Sequence, residues 1–563
     1  MKLSDEQFQA LLVGSNRVAE KDFAAALKQA QETQIGVDAV LVDKGIITDA
    51  DLGVLIAAQL KLPFVVLTKL EISDEALNVI PEEVAKRHKM ICFAKDEQSV
   101  KIAGSDFSNT LLPQLVAQKT GKKVELHYAT EKDIAEVLLN YRTDFQELFE
   151  KLMSGDNNRA ITTIANDPPV KKMVDELIQS ASSEQASDIH IEPQETETLV
   201  RFRIDGVLHD IVTLPKNLHG RIVTRIKVLS SLRTDQHLAA QDGKIKTEVI
   251  GERLDLRVSI IPIAEGEKVV MRLLTSQARS YSLEQLGINE SDLLKIKKAA
   301  ARTYGMILVT GPTGSGKTTT IYSVLKTINT REKNLTSIED PVEYRIKGAN
   351  QVQVNDKTNL TFANGLRSLL RQDPDYIFVG EIRDNETAGI AINAALTGHL
   401  VFSTLHTNTA AASLPRLYDM KVEPFLVAST VNVIIAQRLV RKICPHCRVS
   451  QTIPVAELQK YLSLETIKKH YIPVGASQEV RIYKGQGCRS CHNTGYQGRI
   501  GIYEVIELTK TMRELVSNKA ETDELYDQAL KEGMTTMFDD GIEKITKGLT
   551  TIEEILRVTK TEM

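Results

Sequence analysis

The sequence predicts an α/β protein whose carboxyl-terminal half is a mostly parallel sheet with helices on both faces. Four short apolar runs, at residues 307–310, 335–338, 376–379 and 400–405, alternate with helix-forming stretches. That is the pattern of strands buried on both sides. Each run is followed at once by polar, chemically useful residues, as expected where a ligand sits at the carboxyl ends of parallel strands. Between the first run and its helix lie Gly311, Pro312, Thr313, Gly314, Ser315, Gly316, Lys317, Thr318 and Thr319, a complete G-x-x-x-x-G-K-T loop. Its glycines let the backbone fold tightly round phosphates, so that several N–H groups point at the anion. Lys317 can reach the β- and γ-phosphates, and the Thr318 hydroxyl can ligate Mg²⁺. Turns also use glycine, but the full pattern between strand and helix implies a chain that binds and hydrolyses ATP.

Taken in order, residues 1–65 read as short helices in two related units, one beginning at Ala10-Leu11-Leu12 and one running through Leu41, Gly45 and Ile46. Residues 66–145 mix strands (90–93, 99–103, 124–128) with helices, giving a small α/β lobe. Residues 146–168 turn polar and include Asp167-Pro168-Pro169, the signature of a linker. Residues 169–280 are strand-rich. Residues 199–204 alternate apolar and charged side chains and then meet Asp205-Gly206, a hairpin signal. Residues 253–260 alternate again, placing Arg253, Asp255 and Arg257 on one polar face. Arg272 interrupts an apolar strand, and on composition alone it reads as an edge or snorkelling arginine. From 285 to 563 the strand–helix alternation takes over, with a cysteine-bearing segment at 441–500 and closing helices over 505–563.

Length allows roughly three or four domains. The 70 basic and 74 acidic side chains nearly cancel to −4, so no whole-chain electrostatic case for nucleic acid exists. No stretch approaches the roughly 18 apolar residues of a membrane span, and residues 1–6 lack a signal-peptide pattern. A cytoplasmic location is expected, with any membrane association made through partners. Cys444-Pro-His-Cys447 and Cys488-Arg-Ser-Cys491 read as the two knuckles of a tetrathiolate zinc site with no open position. Disulfides are the alternative and suit an exported chain. Cys92, in an apolar context, reads as a core thiol.

The chemistry gathers after the strands. Glu339 and Glu343 follow the second, and Gly380 and Glu381 the third. His399 and His406 flank the fourth. A carboxylate at a strand tip can orient or deprotonate the attacking water, and Glu381 is the first candidate, with pairing to Arg383 as its bland alternative. Many phosphate-loop enzymes carry Asp where this chain has Gly380, so Mg²⁺ must rely on Thr318, the phosphates, water and the 339–343 segment. Residues 362–371 read as a helix carrying Arg367 and Arg371 at i and i+4, on one face. A solvated face is the usual reading of such a pair, yet arginines also stabilise charge on a transferring phosphoryl group, often in trans.

Residues 311–319, 338–343, 370–375, 379–384 and 397–408 together resemble the secretion ATPases of the GspE/PilB family, which drive type II secretion and type IV pilus assembly. The resemblance covers residues 166–563, including 186–193, 241–243, the tetracysteine insert and 494–501. It implies a RecA-like ATPase core with a preceding PAS-like α+β lobe, assembled as a homo-hexamer in which the strand-rich lobe closes over the nucleotide. It assigns ATP and Mg²⁺ to Lys317 and Thr318, an aspartate box to 339–343, catalysis to Glu381, and a γ-phosphate-sensing histidine box to His399 and His406. It places Arg257, Arg272, Arg367 and Arg371 at nucleotide-contacting positions, against the bland reading of Arg272. The implied partner is an inner-membrane platform protein that extrudes pilin subunits.

The amino-terminal region, 1–145, resembles the MshEN-type helical nucleotide-binding domain, whose two repeated motifs bind cyclic di-GMP. Here the second copy has Gln34 where arginine belongs and the first lacks Arg-Leu-Gly entirely. Losing the cations that would face phosphate argues against cyclic di-GMP and for docking to other cytoplasmic machine components. Two rivals remain: a nucleic-acid translocase, disfavoured by the absence of Trp and by 5% aromatics, and a nucleotide-responsive scaffold without turnover. Within the family reading, the helical start favours pilus extension over secretion. Both are favoured over retraction, whose motors usually lack this start and the zinc insert.

Overall fold

The computed structural model describes residues 5–15, 17–33, 36–107, 111–141, 168–249, 252–274, 282–470 and 479–559. The expected linker lies almost wholly outside them. The chain forms two compact units, one gathering Met1–Asp144, Arg441–Gly498 and Ile542–Ile555, the other Phe145–Val440, Arg499–Gly541 and Leu556–Met563.

In the first unit, helices Asp5–Gly14, Glu20–Thr33, Val37–Asp43 and Asp49–Leu60 bury Leu12, Phe23 and Leu41 in a common core. Thr48 caps the fourth, accepting the Asp51 N–H at 3.1 Å. Strands β1 (Met90–Lys95), β2 (Ser99–Gly104) and β3 (Lys123–Tyr128) follow, with β2 antiparallel to β1 and parallel to β3. Cys92 is fully buried in β1, and burial pushes its thiol up to about 11.

In the second unit, β4 (Asp188–Pro193), β5 (Glu197–Ile204), β6 (Val207–Pro215), β7 (Gln241–Val249), β8 (Glu252–Ile263) and β9 (Gly266–Leu274) form an antiparallel sheet in the order β6-β5-β4-β9-β8-β7. Helices Pro168–Ser183 and Lys216–Leu229 share its core, Leu177 and Ile222 clustering with Phe202, Ile260 and Met271. Asp205 and Gly206 turn the β5–β6 hairpin at φ of 50° and 87°, the geometry an Asp-Gly pair supports.

The larger sheet contains β10 (Gly305–Thr310), β11 (Leu335–Glu339), β12 (Asn350–Gln353), β13 (Tyr376–Val379), β14 (Leu400–Leu405) and β15 (Val431–Ile443). The hairpin β16 (Arg448–Pro454) and β17 (Glu479–Gly485) and then β18 (Tyr496–Glu507) follow. The sheet order is β12-β11-β13-β14-β10-β15-β18, and every pair from β12 to β15 is parallel. β10 lies between β14 and β15, so the chain switches direction across the sheet at the carboxyl end of β10, where open α/β sheets bind ligands. The helix expected over 362–371 ends at Leu369, which leaves Arg371 just past it. Among the described residues no helix is long and apolar enough to cross a membrane.

Candidate functional site

The phosphate loop joins β10 to the helix Lys317–Ile328. Gly316 stands at that helix's N-cap with φ 88° and no side-chain cap, so the first-turn N–H groups lack an intrahelical partner. Gly311 has φ 142°, and a Cβ there would stand 2.4 Å from the Gln437 carbonyl; only glycine fits. Gln437 of β15 braces the loop, its Nε2 donating to the Ser315 carbonyl at 2.6 Å and its Oε1 accepting from Thr320 at 2.7 Å. Lys317 folds back to donate to the Gly311 and Pro312 carbonyls at 2.7 and 3.2 Å. Burial lowers its pKa, and Glu381 acts in the opposite sense. Ser315 Oγ is buried with no partner among the described residues. An orphaned hydroxyl, a lysine turned into the loop and an uncapped helix start are a donor set that fits a phosphate chain, with Thr318 available to Mg²⁺.

β13 brings Glu381 to the same carboxyl end of the strands. Its Oε1 accepts from Arg383 Nη2 at 2.5 Å and its Oε2 from His406 Nε2 at 3.0 Å. Burial alone would raise its pKa, but Arg383 and His406 outweigh burial and hold the carboxylate below its usual range. Gly380 packs β13 closely on β11: a Cβ there would stand 3.2 Å from Glu339 Cα, tight enough that the neighbouring strand would have to shift by a few tenths of an ångström.

Glu339 is 3% exposed and turned inward. Tyr322 donates to its Oε2 at 2.5 Å, and Ser337 and Gln351 donate to Oε1 at 2.7 and 3.1 Å. Burial raises its pKa against these donors. The geometry makes it a brace between β11 and the phosphate-loop helix. Glu343 stays half-exposed and faces Arg257, Nη2 to Oε2 at 3.4 Å, while the same Nη2 donates to the Val342 carbonyl at 3.1 Å. So an arginine of the six-stranded lobe reaches the loop after β11 within one chain.

Arg272 stands directly opposite Arg257 across β8 and β9, and Lys244 opposite Arg257 across β7 and β8. Like charges at facing positions repel; Asp188, itself buried, offsets part of this by accepting from Arg272 Nε at 2.9 Å. Arg367 bonds Glu386 at 2.5 Å, and Arg371 donates to the Arg367 carbonyl and Ser368 hydroxyl. Among the described residues neither reaches the phosphate loop. The two histidines are also separated. His406 follows β14 and bonds Glu381, whereas His399 precedes β14 and bonds the Ala394 carbonyl at 3.0 Å. β14 lies between them, and at ~3.3 Å per residue that sets them roughly 20 Å apart. His399 therefore stands at the amino-terminal end of the parallel strands, the end opposite the loop.

Sequence reasoning passed over Gln437 and Tyr322. Gln437 had a signal, being an amide that with Arg438 interrupts the otherwise apolar stretch 433–440; Tyr322 had none beyond its place on the helix.

The four cysteines converge in the first unit, their sulfurs all within 4.8 Å of one another. Separations of 3.9, 3.8 and 3.7 Å match the ~3.8 Å edge of a tetrahedron built on 2.3 Å zinc–sulfur bonds. Burial works against ionisation of Cys491, but the N–H groups of Cys488 and Gly495 point at its sulfur and hold it down at about 7. The set fits a closed structural zinc site.

A family model described as type II/IV secretion system protein matches residues 163–557. A second, described as MshEN domain, matches residues 60–146, beginning past both helical repeats. The type IV pilus assembly ATPase PilB of Myxococcus xanthus is 38% identical over 559 residues, covering 97% of each chain. The type II secretion system protein E of Pseudomonas aeruginosa is 44% identical over 397 residues, covering 70% of this chain and 77% of that protein. The X-ray structure of the Legionella pneumophila ATPase DotB superposes with a TM-score of 0.52 at 20% identity, covering 72% of this chain and 98% of that one.

Proposed function

From the premise that this chain belongs to the type II/IV secretion system protein family and is an ATPase, we propose that it is a hexameric motor for type IV pilus assembly. The observation that carries the ATPase part is the Glu381 carboxylate, ionised and clamped at the carboxyl end of the strands shared with Lys317. Glu381 orients and deprotonates the attacking water, held in aim by Arg383 and His406. Lys317 and the loop N–H groups bind the β- and γ-phosphates of ATP, and Ser315 adds a hydroxyl. Thr318 holds Mg²⁺, which when bound neutralises charge on the phosphates. Arg257 and Arg272 come from the six-stranded lobe; their mutual repulsion makes that lobe seek an anion, so nucleotide draws it down. Glu343 holds Arg257 in place, Glu339 braces the loop helix, and Arg367 and Arg371 face outward to serve a neighbouring subunit. His399 has no place in the site. Cys444, Cys447, Cys488 and Cys491 hold zinc as a structural element.

Pilus assembly is supported by extent: the similarity to the Myxococcus ATPase runs over 97% of both chains. Type II secretion is the second reading, supported by higher identity, 44%, over the shorter stretch. In either case the motor works at the cytoplasmic face of the inner membrane on a platform protein, without nucleic acid. Deletion in the native host separates the two readings. Loss of surface pili with exported proteins intact supports the first; the reverse supports the second.

A further inference from the structure

The amino-terminal domain and the tetracysteine insert are the two modules that ATP chemistry does not use, and they meet within the first compact unit. Asp43 closes the helix Val37–Asp43 in the second of the two related repeats, and Arg448 opens β16 one residue after Cys447. Arg448 Nε donates to Asp43 Oδ2 at 2.7 Å, and its Nη2 donates to the same oxygen. Ser450 Oγ donates to the Asp43 carbonyl at 2.7 Å. One residue is thus gripped by both its side chain and its backbone. The ion pair is sealed, its side chains only 7% and 11% exposed. Arg448 also lies over the Tyr483 ring, 5.9 Å from its centroid, and donates to the Gly548 carbonyl at 3.4 Å. A Cβ at position 548 would stand 2.9 Å from that ring, so glycine is what lets the segments close.

A second contact lies alongside. The helix Glu131–Val137 packs beside the turn Arg489–Cys491, and its Glu131, Lys132 and Glu136 lie within electrostatic reach of His446. The amino-terminal domain therefore packs against the second cysteine knuckle and, through Asp43, grips the strand that leaves the first. A buried carboxylate and guanidinium persist only as a pair, because either alone bears the full cost of leaving water.

We propose that the amino-terminal domain docks on its own chain's tetracysteine subdomain, through the face carrying Asp43 and the helix Glu131–Val137, and that the tetrathiolate fold holds this docking surface in shape. The helical repeat then serves a contact between two domains of the same chain.

Hydrogen exchange of the full-length protein tests it, with zinc content measured in parallel. Asp43→Ala, far from the cysteines in sequence, is expected to keep its zinc and raise exchange about 100-fold in residues 37–43 and 448–454, as for loss of one partner of a buried pair. The double reversal Asp43→Arg with Arg448→Asp is expected to restore protection that each single reversal loses. Stripping zinc with a chelator is expected to expose 37–43 as well. Unchanged exchange at 37–43 in the zinc-replete Asp43→Ala protein, or after zinc removal, overturns the proposal, as does a double reversal without rescue. Should Arg448 variants lose zinc, Asp43→Ala alone decides.

Discussion

Replacing Glu381 by Gln isolates the charge of the candidate base while keeping its shape. In the wild-type protein Oε1 takes Arg383 and Oε2 takes His406. The glutamine oxygen can keep Arg383. Its amide then donates to His406, whose imidazole accepts once its proton moves to Nδ1. The surroundings therefore stay in place, and the stability change should be no more than ~1 kcal/mol, since Arg383 is itself largely exposed. What is lost is activation of water, worth ~10²–10⁴ in rate, or about 3–5 kcal/mol of barrier. Steady-state ATPase assays should show kcat down by that factor, with ATP affinity changed less than about threefold by a binding titration. A Gln variant that turns over ATP within threefold of wild type would refute the assignment of Glu381 and revive the scaffold reading.

Lys317→Ala should abolish turnover and weaken ATP binding, because a cation in the loop is replaced by a methyl group; a thermal melt within a few degrees of wild type would show that the fold is kept. A zinc assay should give about one ion per chain, and Cys488→Ser should lower both zinc content and melting temperature; zinc-free protein of full stability would contradict the site. The pH dependence follows from the depressed pKa of Glu381. A depressed carboxylate contributes stability that is present above its ordinary value and lost only as pH falls through its lower folded value. The acid limb of kcat should thus lie below the usual glutamate range, and Arg383→Ala should move that limb upward, since burial then acts with less opposition. Finally, mixing Arg257→Ala with Lys317→Ala subunits should restore no activity, because Arg257 reaches residues 342 and 343 of its own chain; recovery would place Arg257 in trans.

The strand boundaries and the phosphate loop were legible because their signals are local. Runs such as 376–379 and 400–405 match β13 and β14 end for end, and the loop's spacing carries its own mechanism. The cysteine pairs were legible for the same reason. The fate of Glu339 was not. β11 is buried at every position, so alternation offers no inside or outside, and a glutamate at a strand tip reads alike whether it faces ATP or Tyr322. The histidines could have been separated, since a six-residue strand lies between them, but a shared motif drew them together. The helix carrying Arg367 ends at Leu369, two residues before the expected end, with Leu370 as its C-cap. The contact of Asp43 with Arg448 joins residues 405 apart in sequence, and no periodic pattern encodes it.

The central claim is that nucleotide draws the arginines of the six-stranded lobe toward the phosphate loop, and that cleavage releases them. Pulsed electron–electron spin spacing between one label on β6 and one on the helix Asn385–Leu396 measures this directly. The account predicts a shorter distance with a non-hydrolysable ATP analogue than with ADP or no nucleotide, and loss of that shortening in Arg257→Ala. One unchanged distance in all three states would contradict it.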